Sequence, residues 1–128
     1  MPHEIALSPE HGIAVVRVSG AVDGAEIAAA AAELAADPGW RGGFRPVWDM
    51  RAVTSLDVSP DHLAAVLAQE ARFEEAGTAG DSVVITRDDV TAGLVLIFQA
   101  HARRAGRTIT TVPTVEQAEA LLGVALPG

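Results

Sequence analysis

Residues 46–67 constrain the fold of this chain more than any other stretch. Their sequence is PVWDMRAVTSLDVSPDHLAAVL. An apolar strand is predicted over residues 44–50, a short polar loop follows it, and a helix is predicted to begin at Pro60. Open α/β sheets hold their functional groups at the carboxyl ends of such strands. We therefore predict a binding region made by the polar residues of this segment, namely Asp49, Arg51, Thr54, Ser55, Asp57 and Ser59.

The first third of the chain predicts a hairpin and a helix. Two β-type runs, at residues 5–7 and 13–18, are separated by a Ser-Pro-Glu-His-Gly turn. Gly20 is predicted to end the second strand. Asp23 is predicted to start a helix, since Glu26 follows at the spacing of a capping box. Residues 37–39, Asp-Pro-Gly, are predicted to stop that helix.

The remaining elements alternate between strands and helices. Strands are predicted over residues 82–86 and 107–112. A third helix is predicted from Asp88 or Asp89 to about Ala105, and a last helix from Thr114 to near Leu122. The order ββαβαβα predicts one α/β domain spanning residues 1–128. Its sheet should be mixed and mostly parallel, with about five strands, an N-terminal antiparallel hairpin and four packed helices.

Composition excludes several classes of function. The formal net charge is −8, and such an acidic chain is predicted to repel nucleic acid and anionic membranes. No apolar run reaches the roughly 18 residues that a spanning helix needs, so stable membrane insertion is not expected. The absence of cysteine removes disulfides and thiol nucleophiles. The N-terminus lacks a basic start followed by an apolar stretch, so we read no signal peptide and expect a cytoplasmic protein.

The chain has Gly20 and Asp23 between a strand and its first helix, a strand ending at Asp49 before a polar segment, and a last helix over residues 114–122. In this order, these features resemble the STAS domain, the module of sulfate transporters and anti-sigma factor antagonists. The segment VVRVSGAVDGAEIAAAAAELAA, residues 15–36, resembles the opening of that family, with Gly20 and Asp23 at its Gly and Asp positions. Residues 47–67 resemble its central signature, in which a strand ending in Asp precedes an Asp-Ser-Ser-Gly-like loop. TVEQAEALL, residues 114–122, resembles its last helix. Residues 81–112 look more like an uncharacterised sporulation-antagonist-like branch with a SEC14-like relationship, which implies a non-enzymatic protein with an apolar-ligand role.

Ser59 has two interpretations. By position, the resemblance matches Asp57 to the motif Asp and Ser59 to the serine that a partner kinase phosphorylates in antagonists. Val58 and Pro60 depart from the motif, and Pro60 removes an N–H that a phosphate would use. Ser59 is otherwise an ordinary helix N-cap worth about 1 kcal/mol, and the sequence favours this cap over the switch.

The polar residues of the chain do not form a recognisable catalytic set. Asp49 and Asp57 are predicted to approach Arg51 as a polar cluster, and acid–base catalysis would further need an opposed pocket and shifted pKa values. The four histidines are scattered without the helical spacing of a zinc site, so no metal and no cofactor is predicted. We predict no enzyme activity.

The third predicted helix carries more apolar groups than one buried stripe requires. Leu94, Ile97 and Phe98 suit a core face, whereas Val95 and Leu96 fall outside it. They belong either to a wider buried face or to a surface for a protein partner, a second copy of the chain or a small apolar ligand. Trp40, in a predicted loop, is a candidate lid or contact. The candidate residues for this surface are Trp40, Val95, Leu96 and Phe98.

The sequence as a whole predicts a non-catalytic STAS-like binding or regulatory module. It would contact a protein partner or a small apolar ligand through residues 49–61 and the third helix. The alternative is an anti-sigma factor antagonist controlled by phosphorylation of Ser59. A small enzyme ranks last.

Overall fold

The computed structural model describes residues 3–40, 44–57, 59, 61–62, 64–68, 81–87, 99, 103 and 108–127. The strands are β1 (His3–Ser8), β2 (Ile13–Asp23), β3 (Arg45–Asp57), β4 (Ser82–Ile85) and β5 (Ile109–Val112). The helices with continuous bounds are a short 3-10 turn (Pro9–His11), α1 (Gly24–Ala36) and α2 (Val115–Leu122). Residues 61, 62 and 64–68 are also helical, as are Gln99 and Arg103. Helical residues therefore occur in all four regions where helices were predicted.

The five strands form one sheet in the order β1-β2-β3-β4-β5. β1 and β2 are antiparallel, and the other three pairs are parallel. The hairpin turns at Gly12, whose φ of +66° is a left-handed conformation that glycine adopts without steric cost. The predicted mixed sheet with an antiparallel N-terminal hairpin is confirmed.

Each face of the sheet is covered by a separate apolar cluster. On one face, α1 contributes Ile27, Ala30 and Leu34 to a cluster that also contains Val66. On the other face, Ala118 and Leu122 of α2 pack on side chains from three central strands: Ile13, Val15, Val47, Val83 and Ile85. The sheet is thus the middle layer of a three-layer α/β structure. Among the described residues, no helix is long and apolar enough to cross a membrane.

The start of α1 follows the sequence prediction. The Asp23 carboxylate accepts a hydrogen bond from the Glu26 backbone N–H at 2.9 Å, so Asp23 is the N-cap. Thr114 caps α2 in the same way through the Gln117 N–H at 3.1 Å. These side chains satisfy backbone donors that the first helical turn leaves unpaired.

The two longest strands extend further than predicted. β2 continues past Gly20 to Asp23, and β3 continues past residue 50 to Asp57. Gly20 has φ +80°, and the β2–β3 register shifts on either side of it, between Arg17 and Ser19 and again between Gly20 and Ala21. A glycine at such an irregularity bends a strand without ending it. The predicted polar loop from Arg51 to Asp57 is therefore wrong, because these residues are in the strand.

Candidate functional site

The carboxyl ends of β2 and β3 project beyond their neighbouring strands. β1 pairs with β2 only as far as Val18, and β4 pairs with β3 only as far as Asp49. Residues 19–23 and 52–57 nevertheless remain paired, from Ser19 opposite Ala52 to Asp23 opposite Asp57. We call these two segments the distal ribbon. Within the described part of the sheet, the distal ribbon has no third strand.

One side of the distal ribbon is apolar and the other is polar. Val22 and Val53 are buried in the cluster beneath α1, and Leu56 packs against it. The side chains of Thr54, Ser55 and Asp57 are exposed instead. The distal ribbon is therefore anchored through its apolar residues and presents hydroxyl and carboxylate groups to solvent.

Two helices begin where the distal ribbon ends. Asp23 caps α1, and Ser59 Oγ accepts a hydrogen bond from the His62 backbone N–H at 3.2 Å. Because Asp23 and Asp57 are register partners, the chain leaves both strands at the same level. The interpretation of Ser59 as a helix cap is confirmed by this hydrogen bond.

The two helix starts touch each other. A Cβ placed on Gly24 would lie 2.4 Å from the Cβ of His62, which is closer than nonbonded carbon atoms approach each other. Glycine at this position thus permits the close packing of α1 against the helical residues that follow Ser59. The sequence did not predict this contact, because residues 24 and 62 are joined only through the tertiary structure.

Asp49 and Arg51 form an ion pair on β3. Arg51 Nε donates to Asp49 Oδ1 at 2.9 Å, and Arg51 Nη2 donates to Asp49 Oδ2 at 2.8 Å. The backbone N–H of Arg51 adds a third bond to Oδ1 at 3.2 Å. The two side chains are i and i+2 on one strand, so they share a face of the sheet. The predicted contact between Asp49 and Arg51 is confirmed. The predicted approach of Asp57 to this pair is wrong, because Asp57 lies six residues beyond Arg51 at the far end of the same extended strand.

The ion pair stabilises the charged forms of both Asp49 and Arg51. Burial raises the pKa of the Asp49 carboxyl, but the hydrogen bonds from Arg51 and the charges of Arg51 and Arg17 outweigh it, so this pKa is lowered. The hydrogen bond to Asp49 raises the pKa of Arg51, and the charge of Glu116 on α2 adds to that effect. Asp49 is therefore an ionised structural partner of Arg51, and not a carboxyl poised to accept a proton near neutral pH.

The predicted apolar surface is described only in part. Trp40 is 8% exposed and packs edge-to-face on Phe44, with ring centroids 5.6 Å apart. It is a member of the cluster under α1, so its expected role as a surface lid is corrected to a role in the core. Val95, Leu96 and Phe98 lie outside the described residues, and their role at an interface or ligand site stays a prediction.

Comparisons with known proteins identify the fold. No protein-family model matches the chain, and no curated protein matches it significantly. The chain is similar to the crystal structure of an uncharacterized DUF3478-family protein with a SpoIIAA-like fold from Shewanella loihica PV-4. The TM-score is 0.58 at 12% identity, over 94% of this chain and 91% of the other.

A second solved structure belongs to a regulator. It is the anti-sigma factor antagonist SpoIIAA in its unphosphorylated form, with a TM-score of 0.52 at 16% identity. The match covers 94% of this chain and 97% of that one. At this identity the likeness concerns the fold alone. The chain has the SpoIIAA-like fold, and the STAS-like α/β architecture that the sequence predicted is confirmed.

Proposed function

We propose that this chain is a non-catalytic regulatory module that binds a protein partner through residues 49–61. The proposal rests on one observation: the distal ribbon exposes the side chains of Thr54, Ser55 and Asp57 next to two helix starts. A SpoIIAA-like fold supports a regulatory role, because one similar structure is an anti-sigma factor antagonist. We place the protein and its partner in the cytoplasm.

Binding is favoured over catalysis by the state of the carboxylates. Asp49 is held by three hydrogen bonds from Arg51, so it is not available as a general base. The Asp23 carboxylate is also engaged, because it accepts the Glu26 backbone N–H as the N-cap of α1. The remaining polar side chains of the distal ribbon are hydroxyls and one exposed carboxylate, which suit hydrogen bonds across a protein interface.

The proposal is tested by placing a large cation on the distal ribbon. Thr54→Arg should abolish recovery of a cross-linked partner when the tagged full chain is purified from its host and analysed by mass spectrometry. Thr111→Arg is the matched control, since Thr111 is also an exposed strand threonine but lies on β5 at the other side of the sheet. Equal recovery of partners by both variants, or no partner with the unaltered chain, would contradict the proposal.

A phosphorylation switch at Ser59 is the second candidate, favoured by the position of this serine at a helix N-terminus. A phosphate there would add about two negative charges, which the helix dipole stabilises. The neighbouring carboxylates Asp57 and Asp61 would oppose it. The hydroxyl already accepts the His62 N–H, so a modified serine would have to keep or replace that bond.

Two substitutions separate the cap from the switch. Ser59→Ala removes the cap and should lower the free energy of unfolding by about 1 kcal/mol while partner recovery persists. Ser59→Asp keeps a capping oxygen and adds a charge, so it should preserve stability yet release the partner if phosphorylation controls binding. Partner recovery that is unchanged in Ser59→Asp would leave Ser59 as a cap alone.

A further inference from the structure

An open groove of about 500 Å³ lies beside the amino end of the distal ribbon. Three of the residues that line it are arginines, namely Arg17, Arg51 and Arg87. The chain carries a net charge of −8 and has nine basic residues in total. A third of its cationic side chains therefore meet at one place on an otherwise acidic protein.

The sheet register explains why these arginines converge. Arg17 on β2 is the register partner of Asp49 on β3, and Asp49 is the register partner of Ile85 on β4. Arg51 follows Asp49 by two residues, and Arg87 follows Ile85 by two residues. Arg17 and Arg51 thus come from β2 and β3, and Arg87 lies two residues beyond the end of β4, so the three cations are close to the same level of the sheet.

Two of the arginines are held by the protein itself. Asp49 binds the Nε and Nη2 groups of Arg51, and the backbone carbonyl of Pro127 accepts from Arg17 Nη2 at 2.6 Å. A guanidinium has five N–H donors, so both groups keep donors for a ligand. A side chain that is already held in place loses less conformational entropy when a ligand binds, so the free-energy cost of binding is smaller.

The third arginine differs from the other two. Arg87 is exposed and forms no hydrogen bond or ion pair with the described part of the chain. The groove is also lined by the exposed Ser19 and by one further carboxylate, that of Glu4. Among the described residues that line the groove, three arginines and two carboxylates give an excess of positive charge when His3 is neutral.

We propose that this groove binds a small molecule that carries a phosphate or carboxylate group, held by Arg17, Arg51 and Arg87. The planar guanidinium group matches the oxygen spacing of both anions and binds them through paired hydrogen bonds. The site goes beyond the proposed partner-binding function, because occupancy requires no second protein.

The first test is an NMR titration of the full chain, labelled with nitrogen-15, with sodium phosphate and separately with sodium acetate. Sodium chloride keeps the ionic strength constant, so that general screening does not produce shifts. Saturable shifts of the Arg17, Ser19 and Arg51 amides are expected. Tighter binding of phosphate assigns a phosphate-bearing ligand, and tighter binding of acetate assigns a carboxylate. No saturable shift with either anion overturns the proposal.

Substitutions then locate the site. Arg87→Gln should weaken anion binding about tenfold, which corresponds to the loss of one charge-assisted interaction of about 1.4 kcal/mol. Because Arg87 is exposed and forms no hydrogen bond or ion pair with the described residues, this variant should fold normally. Arg17→Gln should weaken binding to a similar extent but also loses the bond to Pro127. Arg103→Gln, at an exposed helical residue outside the groove lining, is the control. Equal affinities for Arg87→Gln and Arg103→Gln would overturn the proposal.

Discussion

β2 and β3 contain both the most buried and the most solvent-exposed parts of the described sheet. At their amino ends, residues 13–16 of β2 are fully buried, with β1 and β3 on either side and apolar clusters on both faces. At their carboxyl ends, in the distal ribbon, neither β1 nor β4 pairs with these strands. The sequence changes accordingly, from the continuous apolar run Ile-Ala-Val-Val to a mixture of apolar and polar residues.

This difference shows how one pair of strands serves two purposes. A strand that is covered on both faces must be apolar throughout, whereas a strand covered on one face carries polar groups on the other. The buried ends therefore supply stability, and the distal ribbon supplies surface chemistry at little cost to the core. Substitutions in the two parts should have effects of very different size.

The largest effect is expected at the buried end. Ile13→Ala removes a side chain that is 0% exposed and should lower the free energy of unfolding by about 3 kcal/mol through lost burial and a cavity. Leu56→Ala, at a half-buried position of the distal ribbon, should cost about 1 kcal/mol. Urea unfolding of both variants measures the difference. Similar losses would show that the distal ribbon belongs to the core as fully as the buried ends do.

The next effect concerns the junction between the distal ribbon and the helices. Gly24→Ala would place a methyl group against His62, so either α1 or the facing backbone must shift. This shift should lower the free energy of unfolding by about 2 kcal/mol. His62→Gly in the same chain removes the opposing Cβ and should recover part of that loss. Thermal unfolding of the single and double variants provides the measurement. A Gly24→Ala protein as stable as the unaltered chain would mean that the two helix starts are not tightly packed.

A smaller effect is expected where the buried and open parts meet. Asp49→Asn weakens the bonds to Arg51 and should cost about 1 kcal/mol at neutral pH, since Arg51 is 35% exposed and solvent screens the pair. The pKa of Asp49 is lower in the folded state than in the unfolded state. Its stabilisation is therefore complete above the ordinary aspartate pKa of about 3.9 and is lost as the pH falls below it.

Comparing unfolding free energies at neutral and strongly acidic pH tests this sign. The difference in free energy of unfolding between Asp49→Asn and the unaltered chain should become smaller in acid. Asp57→Asn, at an exposed position on the distal ribbon, is the control and should change stability by less than about 0.5 kcal/mol. A gap for Asp49→Asn that widens in acid would contradict the direction of the pKa shift.

The sequence predicted the features that depend on nearby residues. The cap at Asp23, the cap at Ser59 and the hairpin turn at Gly12 all follow from short motifs, and the structure contains each of them. The contact between Asp49 and Arg51 was predicted as well, as part of a polar cluster at a strand end, although the cluster was expected to include Asp57 and Arg51 was expected in a loop. Alternation of strands and helices was sufficient for the sheet type.

The features that depend on distant residues were missed. Residues 51–57 have the polar composition of a loop, and only their pairing with residues 19–23 shows that they form a strand. That pairing passes through irregularities around Gly20, which the sequence suggested as a strand end. Arg17 and His62 were missed for the same reason, since their contacts depend on register and helix packing and not on any local motif.

The smallest effect is expected on the exposed face of the distal ribbon, where Thr54→Ala should change the free energy of unfolding by less than about 0.5 kcal/mol. Thr111→Ala on β5 is the matched control and should give the same result, because both side chains are exposed on strands. Urea unfolding of the two variants provides the measurement. A loss above about 1 kcal/mol for Thr54→Ala alone would contradict the prediction and would mean that this hydroxyl face contributes to folding. Only if Thr54 is neutral for stability can a loss of partner in Thr54→Arg be assigned to the interface, so this small effect decides how the larger functional test is interpreted.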